Sequence, residues 1–348
     1  MMRIVDFRSD TVTLPTPEML KGMIDAEVGD DVFSDDPSVN MLEEKAAKIM
    51  GKEAAVFVAS GTMGNLVSVL AHCERGGEII LGDQSHIFRS EGGGASALGG
   101  ISYNTVTNKE DGTLDPDDVR SAIRDYSTRL SRIHSARTSL VALENTHNSC
   151  GGSPLTASYT ESIASIAHEN GLPLHIDGAR IFNAAVSLET PVDQLVRSAD
   201  SISFCLSKGL SCPVGSIVCG SHSFVERARE WRKMVGGGMR QAGFLAAAGI
   251  IALDSMVERL AEDHANAKRL AKGLSGISGI SIDPDKVHTN LVFFDVDKTD
   301  NGAAANKLAD LGIKGGSTGG RWRFVTHYGI TPDDIDYALE SVDKVFSG

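Results

Sequence analysis

One lysine stands between two apolar, strand-like runs, and its position would suit covalent chemistry. The first run, at 201–206, ends just before Lys208, and the second occupies 215–219. Burial disfavours the charged form of an amine. A neutral lysine amine can attack a carbonyl carbon and hold it as a Schiff base. The alternative is a surface lysine at a strand end with its charged tip in solvent, and this stretch alone leaves both interpretations open.

A small polar segment could hold an anion. Ser60, Gly61 and Thr62 follow a strand-like run at 54–59 and open a helix-like run. Backbone amides at a helix N-terminus, with a glycine that allows close approach, form an anion site. The segment matches neither GxxxxGK[ST] nor GxGxxG, so ATP and NAD are not indicated. It is either a phosphate cradle or a plain turn between strand and helix.

Acidic and imidazole side chains follow other strand-like runs. Asp177 comes directly after the run at 172–176, at the strand end where open α/β sheets bind ligands. A carboxylate under a pyridine nitrogen would keep the ring protonated and make it an electron sink. His86 could stack on a flat cofactor, and His147 titrates in the range useful for proton transfer. The alternatives are an Asx turn at Asp177 and two hydrogen-bonded structural histidines.

Basic side chains form a last group. Arg323 begins a strand-like segment near the C-terminus, and a guanidinium suits a carboxylate, although it could equally form a surface ion pair. Lys233 and Arg240 flank a run of glycines, where they could reach an anion or form a solvated face. Taken together, these residues offer what pyridoxal 5'-phosphate (PLP) requires: a phosphate cup, a ring partner, a stacking group and a Schiff-base lysine.

Composition restricts the class of protein. The 348 residues exceed the ~250–300 at which single cores stop growing, so about two domains are expected. The net charge of −13 makes nucleic acid and anionic membranes poor partners, and no apolar run approaches the ~18 residues that span a bilayer. The N-terminus lacks a signal-peptide core. The five cysteines form no Cys-x-x-Cys pair, which fits reduced thiols in the cytoplasm.

Strand-like and helix-like runs alternate over most of the chain. The strand-like runs lie at 54–59, 78–81, 101–106, 139–143, 172–176, 201–206 and 215–219. This alternation predicts an α/β fold with a mostly parallel sheet between helices. From residue 244 an alanine-rich helix, interrupted near Asp263, leads into a smaller α+β unit. We predict an N-terminal arm at 1–15, a large PLP-binding domain at 16–245 and a small C-terminal domain at 246–348.

A series of motifs, in this order, resembles the low-specificity L-threonine aldolases of the fold-type I PLP-dependent enzymes. The motifs are FRSDTVT at 7–13, SGTMGN at 60–65, SHI at 85–87, ENTHN at 144–148, HIDGAR at 175–180, LSKGL at 206–210, GGGMRQ at 236–241 and RFVTH at 323–327. They run from the arm to the small domain, so the resemblance covers nearly the whole chain. It implies a PLP-dependent transferase-like fold, similar to that of aspartate aminotransferase, with a seven-stranded sheet in the large domain.

The resemblance also implies how PLP would be held. Lys208 would form the Schiff base, Asp177 would pair with the pyridine nitrogen, and His86 would stack on the ring. Arg180 would lie near the phenolic oxygen. The phosphate would rest on Ser60, Gly61 and Thr62.

Further residues would bind substrate or complete the site. Ser9 and Arg323, with help from Arg180, would hold the substrate carboxylate, and His147 would lie near the substrate hydroxyl. His147 and His86 are both candidates for the catalytic base. Lys233 and Arg240 would reach the active site of a neighbouring subunit, because the family forms homotetramers that are dimers of dimers. No metal site is predicted.

The implied reaction is cleavage of L-threonine, L-allo-threonine and related β-hydroxy-α-amino acids to glycine and an aldehyde. Phe33 stands where the family usually has a tyrosine, a difference that bears on the side-chain pocket at that entrance. Three alternatives remain. The scaffold could catalyse another PLP-dependent lyase reaction, β-elimination or phenylserine cleavage; it could bind PLP without turnover; or Cys150 and His147 could form a nucleophilic pair.

Overall fold

The computed structural model describes residues 3–297, 300–318 and 320–347. Met1 and Met2 of the predicted arm lie outside the described residues, as do Lys298, Thr299, Gly319 and Gly348 of the predicted small domain.

The described strands form three sheets. In chain order they are β1 Val5–Asp6, β2 Ala54–Val58, β3 Gly77–Gly82, β4 Ser102–Val106, β5 Arg137–Glu144, β6 Leu174–Asp177, β7 Ser201–Cys205, β8 Ser216–Gly220, β9 Ile280–Ser281, β10 Leu291–Val296, β11 Ile313–Lys314, β12 Gly316–Thr318 and β13 Arg321–Val325. Each of the seven strand-like runs of the sequence overlaps one strand of the largest sheet. The short strands β1, β11 and β12 were not predicted.

The largest sheet has seven strands in the order β2-β8-β7-β6-β5-β3-β4. The pairs β3–β4, β3–β5, β5–β6 and β6–β7 are parallel, and β8 runs antiparallel to both of its neighbours. Strands β6, β7 and β8 are buried along their whole length, as expected for a sheet covered on both faces. The predicted α/β fold with a mostly parallel seven-stranded sheet is confirmed.

The helices cover this sheet and the smaller one. In chain order they are α1 Pro17–Ile24, α2 Pro37–Met50, α3 Gly61–His72, α4 His86–Arg89, α5 Gly94–Gly99, α6 Pro116–Ala122, α7 Arg129–His134, α8 Ala157–Glu169, α9 Ile181–Ser187, α10 Val192–Leu195, α11 His222–Met234, α12 Gly243–Ser255, α13 Leu260–Leu274, α14 Asn301–Asp310 and α15 Pro332–Phe346. Among the described residues, no helix combines the length and the apolar character needed to cross a lipid bilayer.

The alanine-rich segment is two helices, and its interruption was predicted in the wrong place. The break lies at 256–259, between α12 and α13, whereas Asp263 is buried inside α13. Asp263 is paired there with Arg259, one turn earlier. An acidic residue with a basic partner at this spacing supports a helix, so the aspartate does not end it.

The smaller part of the protein has its own sheet and core. Strands β12, β13, β10 and β9 form an antiparallel sheet, and α13 and α15 pack in the same core as its inner side chains. The arm joins this core: β1 pairs with β11, and the ring of Phe7 stacks on Phe324 with 5.0 Å between centroids. Helix α12 packs in the core of the large sheet. The predicted domain boundaries stay a prediction.

Candidate active site

The predicted site residues gather at the carboxyl ends of the parallel strands. Glu144, Asp177 and Cys205 are the last residues of β5, β6 and β7, and Glu144 pairs in register with Asp177. Parallel strands end at one edge of a sheet, and ligands of open α/β sheets bind there. The edge therefore places two carboxylates side by side, next to the loop that carries Lys208.

Lys208 lies on the loop that joins β7 to β8, and it is partly buried. The base of the loop is closed by the Leu206 amide, which donates to the Gly215 carbonyl at 3.0 Å, and by the Cys212 amide, which donates to the Leu206 carbonyl at 3.1 Å. The Thr13 hydroxyl of the arm donates to the Lys208 carbonyl at 3.1 Å. The loop is thus fixed by the sheet on one side and by the arm on the other.

Asp177 is buried and held by two donors. Its Oδ2 accepts from the Asn65 side-chain amide at 2.8 Å, and its Oδ1 accepts from the Ala179 amide at 3.1 Å. Burial raises the pKa of Asp177, and so does Glu144, while His86 and Lys208 act in the opposite direction. A raised carboxyl pKa means that the ionised form lacks sufficient positive charge nearby. A cation bound against Asp177 would supply it.

His86 begins α4 and is oriented by two carboxylates. Its Nδ1 lies 2.8 Å from Oε1 of Glu91, and its backbone amide donates to Oε2 of Glu144 at 2.7 Å. The hydrogen bond to Glu91 raises the pKa of His86, burial opposes it, and the charges of Asp177, Glu91 and Glu144 add to the increase. The His86 side chain is 31% exposed, and no hydrogen bond is formed by its Nε2 among the described residues.

The predicted phosphate cradle is the N-terminus of α3. The Ser60 hydroxyl caps this helix by accepting from the Met63 amide at 3.2 Å, while Gly61 and Thr62 are its first residues. A Cβ atom on Gly61 would lie 2.7 Å from Sγ of Cys205, too close for an undistorted contact. The glycine therefore keeps the first turn of the helix tight against the end of β7, with its amides at the sheet edge.

Two arginines meet next to the loop of Lys208. The Arg180 guanidinium is buried and donates to both carboxylate oxygens of Asp10, at 2.7 and 2.8 Å. Arg180 and Arg323 also donate to the same amide oxygen, Oδ1 of Asn148, at 3.2 and 3.1 Å. Burial alone would raise the pKa of Asp10, but Arg180 and Lys208 hold it well below its ordinary value. Asp10 is therefore ionised and forms an ion pair with Arg180.

Among the described residues, no carboxylate forms an ion pair with Arg323. Besides Asn148, it donates to the Arg8 carbonyl at 3.0 Å, and both of these acceptors are neutral. Burial lowers the pKa of Arg323, and the neighbouring Arg180 adds to this effect, while Asp10 opposes it. Ser9 lies between Arg8 and Asp10 and is partly buried. The geometry thus combines a buried ion pair with a second guanidinium that can take up a carboxylate.

His147 occupies a different environment from His86. It is only 1% exposed, and neither ring nitrogen finds a hydrogen-bond partner in the part of the protein that the structure describes. Its Nε2 lies 3.9 Å from Oε2 of Glu144. The nucleophilic pair with Cys150 is disfavoured. Burial and the charges of Glu144 and two aspartates raise the pKa of the Cys150 thiol to about 12, so the reactive thiolate is scarce at neutral pH.

Lys233 and Arg240 are exposed. Arg240 pairs with Asp30 at 2.8 Å, and the Lys233 side chain lies against Gly238. In the described part of the chain, no hydrogen bond or ion pair joins either residue to Lys208 or Asp177. The glycine run nevertheless approaches the phosphate cradle, since a Cβ atom on Gly237 would meet the sulfur of Met63.

Four residues with structural roles in the site were not singled out from the sequence: Asp10, Asn65, Glu91 and Asn148. Asp10, Asn65 and Asn148 lie within the motifs FRSDTVT, SGTMGN and ENTHN, whereas Glu91 precedes three glycines at 92–94. Asn65 donates to both Glu91 and Asp177, at 2.7 and 2.8 Å. Ligand atoms of His86, Glu91 and Asp177 lie within 4.8 Å of one another, the one such grouping among the described residues.

Comparisons with known proteins give a consistent result. The family model described as "Beta-eliminating lyase" matches residues 6–299. The chain is 49% identical to low-specificity L-threonine aldolase 1 of Arabidopsis thaliana, covering 97% of this chain and 95% of that protein. It is 46% identical to low specificity L-threonine aldolase of Escherichia coli (strain K12), covering 86% and 87%. The solved structure of Leishmania major threonine aldolase superimposes with a TM-score of 0.82 at 20% identity, covering 98% of this chain and 99% of that one.

Proposed function

Because the chain belongs to the low-specificity L-threonine aldolases within the beta-eliminating lyase family, we propose that it cleaves L-threonine and L-allo-threonine to glycine and acetaldehyde. Related β-hydroxy-α-amino acids would give glycine and the corresponding aldehyde. The cofactor is PLP. The observation that carries the proposal is the convergence of Lys208, Asp177 and the Arg180–Arg323 pair on one sheet edge. A carbonyl-binding amine, an acid for a ring nitrogen and a carboxylate clamp are the parts that an amino-acid lyase requires.

The residues at this edge fit PLP. A side chain at Gly61 would collide with Cys205. Because the glycine has none, the first backbone amides of α3 are left uncovered and can bind an anion. Asp177 has a raised pKa, which a protonated pyridine nitrogen would reverse. Lys208 would hold the aldehyde carbon, Asp177 the ring nitrogen, and the ring would lie against His86. The phosphate would rest on Ser60, Gly61 and Thr62, and when bound PLP supplies a protonated ring that accepts the electron pair of the breaking Cα–Cβ bond.

The two arginines would orient the substrate. Within the described ranges, the acceptors of Arg323 are two neutral oxygens, Asn148 Oδ1 and the Arg8 carbonyl, so a substrate carboxylate would be its natural anionic partner. Arg180 is held by Asp10 and provides the second wall of the clamp, with Ser9 beside it. Fixing the carboxylate fixes rotation about the Cα bonds, and catalysis by positioning of this kind can contribute several kcal/mol.

We assign the proton transfer from the substrate hydroxyl to Nε2 of His86. Glu91 holds the other nitrogen at 2.8 Å, so one nitrogen is fixed and the other is free to take a proton. His147 is 1% exposed, and we propose that it acts behind Glu144 rather than as the base. This division of roles would explain why one histidine is partly solvated and the other is enclosed.

We also propose a homotetramer in the cytoplasm, a dimer of dimers in which Lys233 and Arg240 serve a neighbouring active site. Large apolar side chains on the surface support association, since Leu14, Ile24 and Phe33 are 75%, 79% and 71% exposed. The five cysteines are free, which fits a reducing compartment.

The test is a product assay on the purified holoenzyme. Glycine and acetaldehyde should appear in equal amounts from L-threonine or L-allo-threonine, and the Lys208→Ala variant should lose both turnover and the visible absorbance of covalently held cofactor. 2-Oxobutyrate and ammonia as the main products from these substrates would instead assign a β-elimination. Phenylserine is tested in parallel, and its cleavage rate relative to that of threonine shows which aldehyde the enzyme releases more readily. Turnover at the normal rate by Lys208→Ala would refute the role of the lysine.

A further inference from the structure

A second cavity lies at the opposite edge of the large sheet. It has a volume of about 570 Å³, and its lining includes Arg75, Arg132, Arg137, Arg227, Glu74 and Tyr126. Gly77 and Arg137, the first residues of β3 and β5, also belong to its wall. The strand β5 ends at Glu144 in the active site. At about 3.3 Å per residue, the two sites are roughly 23 Å apart along this strand.

The charge of this cavity contrasts with that of the whole chain. Four guanidinium groups face one carboxylate, that of Glu74, in a chain whose net charge is −13. None of the four arginines forms an ion pair within the described part of the chain, and the one side-chain hydrogen bond among them is that of Arg132 to the Ser127 carbonyl, at 3.0 Å. Nearby Arg124, in contrast, is paired with Glu78 at 3.2 Å.

Like charges held around one cavity repel each other, and an anion between them removes this repulsion. Guanidinium groups bind phosphate and carboxylate oxygens through paired hydrogen bonds. The four arginines come from separate segments: Arg75 follows α3, Arg132 lies in α7, Arg137 starts β5 and Arg227 lies in α11. Their convergence is therefore a property of the fold and not of one basic stretch of sequence.

We propose that this cavity binds a small polyanion that carries phosphate or carboxylate groups, at a site separate from the active site. Its volume falls within the range of about 300–1,000 Å³ typical of small-molecule sites. The ring of Tyr126 lines the same wall and offers an apolar contact to the carbon skeleton of the ligand. The charge selects the class of ligand, and the cavity size excludes a macromolecule as the occupant of the interior.

The experiment is calorimetric titration of the PLP-saturated enzyme at low salt, with inorganic pyrophosphate in one arm and citrate in the other. Saturation with PLP keeps the phosphate cradle of α3 filled. We expect saturable binding of one anion per subunit, weakened by roughly tenfold or more in Arg137→Gln and in Arg75→Gln, since each removes a charge-assisted contact. Tighter binding of pyrophosphate identifies a phosphate ligand, and tighter binding of citrate identifies a polycarboxylate.

The matched control is Arg197→Gln. Arg197 is exposed, lies outside the cavity wall and has no ion pair among the described residues, so the control makes the same change in net charge. Affinity should stay at the wild-type value. Equal weakening in Arg197→Gln, or no saturable binding in the wild type, would overturn the proposal.

Two further measurements separate a loss of anion binding from a loss of folding and from a change of assembly. Thermal melting should show that the variants fold, because the substituted arginines are exposed. If Arg137→Gln unfolds, Arg75→Gln and Arg227→Gln test the same cavity wall, since these two arginines lie outside β5. The molecular mass in solution should be the same for all variants. A lower mass for Arg137→Gln would mean that these arginines bind a second copy of the chain, and the polyanion site would be wrong. Threonine cleavage is assayed separately and does not depend on this outcome.

Discussion

The two arginines near Lys208 show how neighbouring residues of one type take different roles. Arg180 is buried and neutralised by both oxygens of Asp10, so it acts as a fixed part of the wall. Arg323 is only partly buried and donates to an amide oxygen and a backbone carbonyl. The difference is set by their partners, and it supports the proposal that Arg323 contacts an incoming carboxylate.

Replacing Arg323 by glutamine should raise the KM for L-threonine by roughly 10- to 100-fold, because a hydrogen bond to a charged group is worth about 1.5–3 kcal/mol. Steady-state kinetics of glycine release measure this. Arg321→Gln on the same strand is the control, since Arg321 is exposed and lies 3.7 Å from Asp295. An unchanged KM in Arg323→Gln would remove this arginine from the substrate site.

Glu91→Gln should move the acidic limb of the pH profile of kcat/KM to lower pH. The hydrogen bond to Glu91 is the main cause of the raised pKa of His86, so a neutral partner allows the imidazole to lose its proton at lower pH. A base must be neutral to accept a proton, and activity therefore persists further into acid. Asp177 and Glu144 continue to act on His86 in the variant.

The control for this substitution is Glu169→Gln, which removes an exposed carboxylate paired with Arg120 at 3.1 Å. Its pH profile should superimpose on that of the wild type. If the limb of Glu91→Gln stays in place, then His86 is not the group that titrates.

At the scale of elements, the contact between α3 and β7 joins the proposed phosphate cradle to the loop that carries Lys208. Gly61 opens the helix and Cys205 ends the strand, and the space between them does not admit a methyl group. A change at this contact reaches both ends of the cofactor site at once.

Gly61→Ala should weaken PLP binding by roughly tenfold, because overpacking a close contact costs about 1–3 kcal/mol. Fluorescence titration of the apoenzyme with PLP measures the affinity. The double variant with Cys205→Ala should recover most of it, since the clash is with Sγ of Cys205. Gly94→Ala, where the added atom would meet Leu66 at an ordinary 3.4 Å, is the matched control. Equal affinity in the wild type and Gly61→Ala would show that this contact does not shape the cradle.

Most elements of the large sheet could be predicted because their strands are short apolar runs between turns, and β3, β6, β7 and β8 are buried throughout, whereas the edge strand β4 is largely open to solvent. The two-residue strands β1 and β11 could not, because their pairing is a tertiary contact between residues far apart in sequence. The site residues divide in the same way, into those marked by a local pattern and those defined by tertiary contacts. Lys208 and Asp177 stand at strand ends visible in the sequence. Glu91 and Asn148 instead accept hydrogen bonds from residues far away in the sequence, Asn65 and Arg180, and no local pattern encodes such partners.

At the scale of the whole molecule, one chain does not account for all the residues expected in the site. Within the described part of the chain, no hydrogen bond or ion pair joins Lys233 or Arg240 to Lys208 or Asp177, although the resemblance places both near an active site. In a symmetric dimer, a residue that reaches across one interface does so at both copies of the site. The proposed assembly would therefore complete each site with a neighbour's side chains.

Mixing subunits tests this sharing. Lys208→Ala and Lys233→Ala should each be strongly impaired alone. Co-expressed in equal amounts, they should recover activity, because one of the two sites in each hybrid dimer contains both lysines. With random pairing, roughly a quarter of all sites would then be complete. The control mixes Lys208→Ala with Lys208→Ala/Lys233→Ala, which can form no complete site. If the first mixture shows no more activity than the sum of its components, Lys233 does not act across subunits.

The loop that carries Lys208 is fastened at its base, where Leu206 bonds to Gly215 and to Cys212, and both of its flanking strands are interior members of the sheet. This wall of the crevice cannot move without opening the sheet. Any closure around a substrate must come from the facing wall, where the Arg323 guanidinium donates to the Arg8 carbonyl and Phe7 stacks on Phe324. Because the Thr13 hydroxyl keeps the later part of the arm on the Lys208 carbonyl, the start of the arm at Phe7 and Arg8 would then move together with the small antiparallel sheet toward the fixed lysine loop.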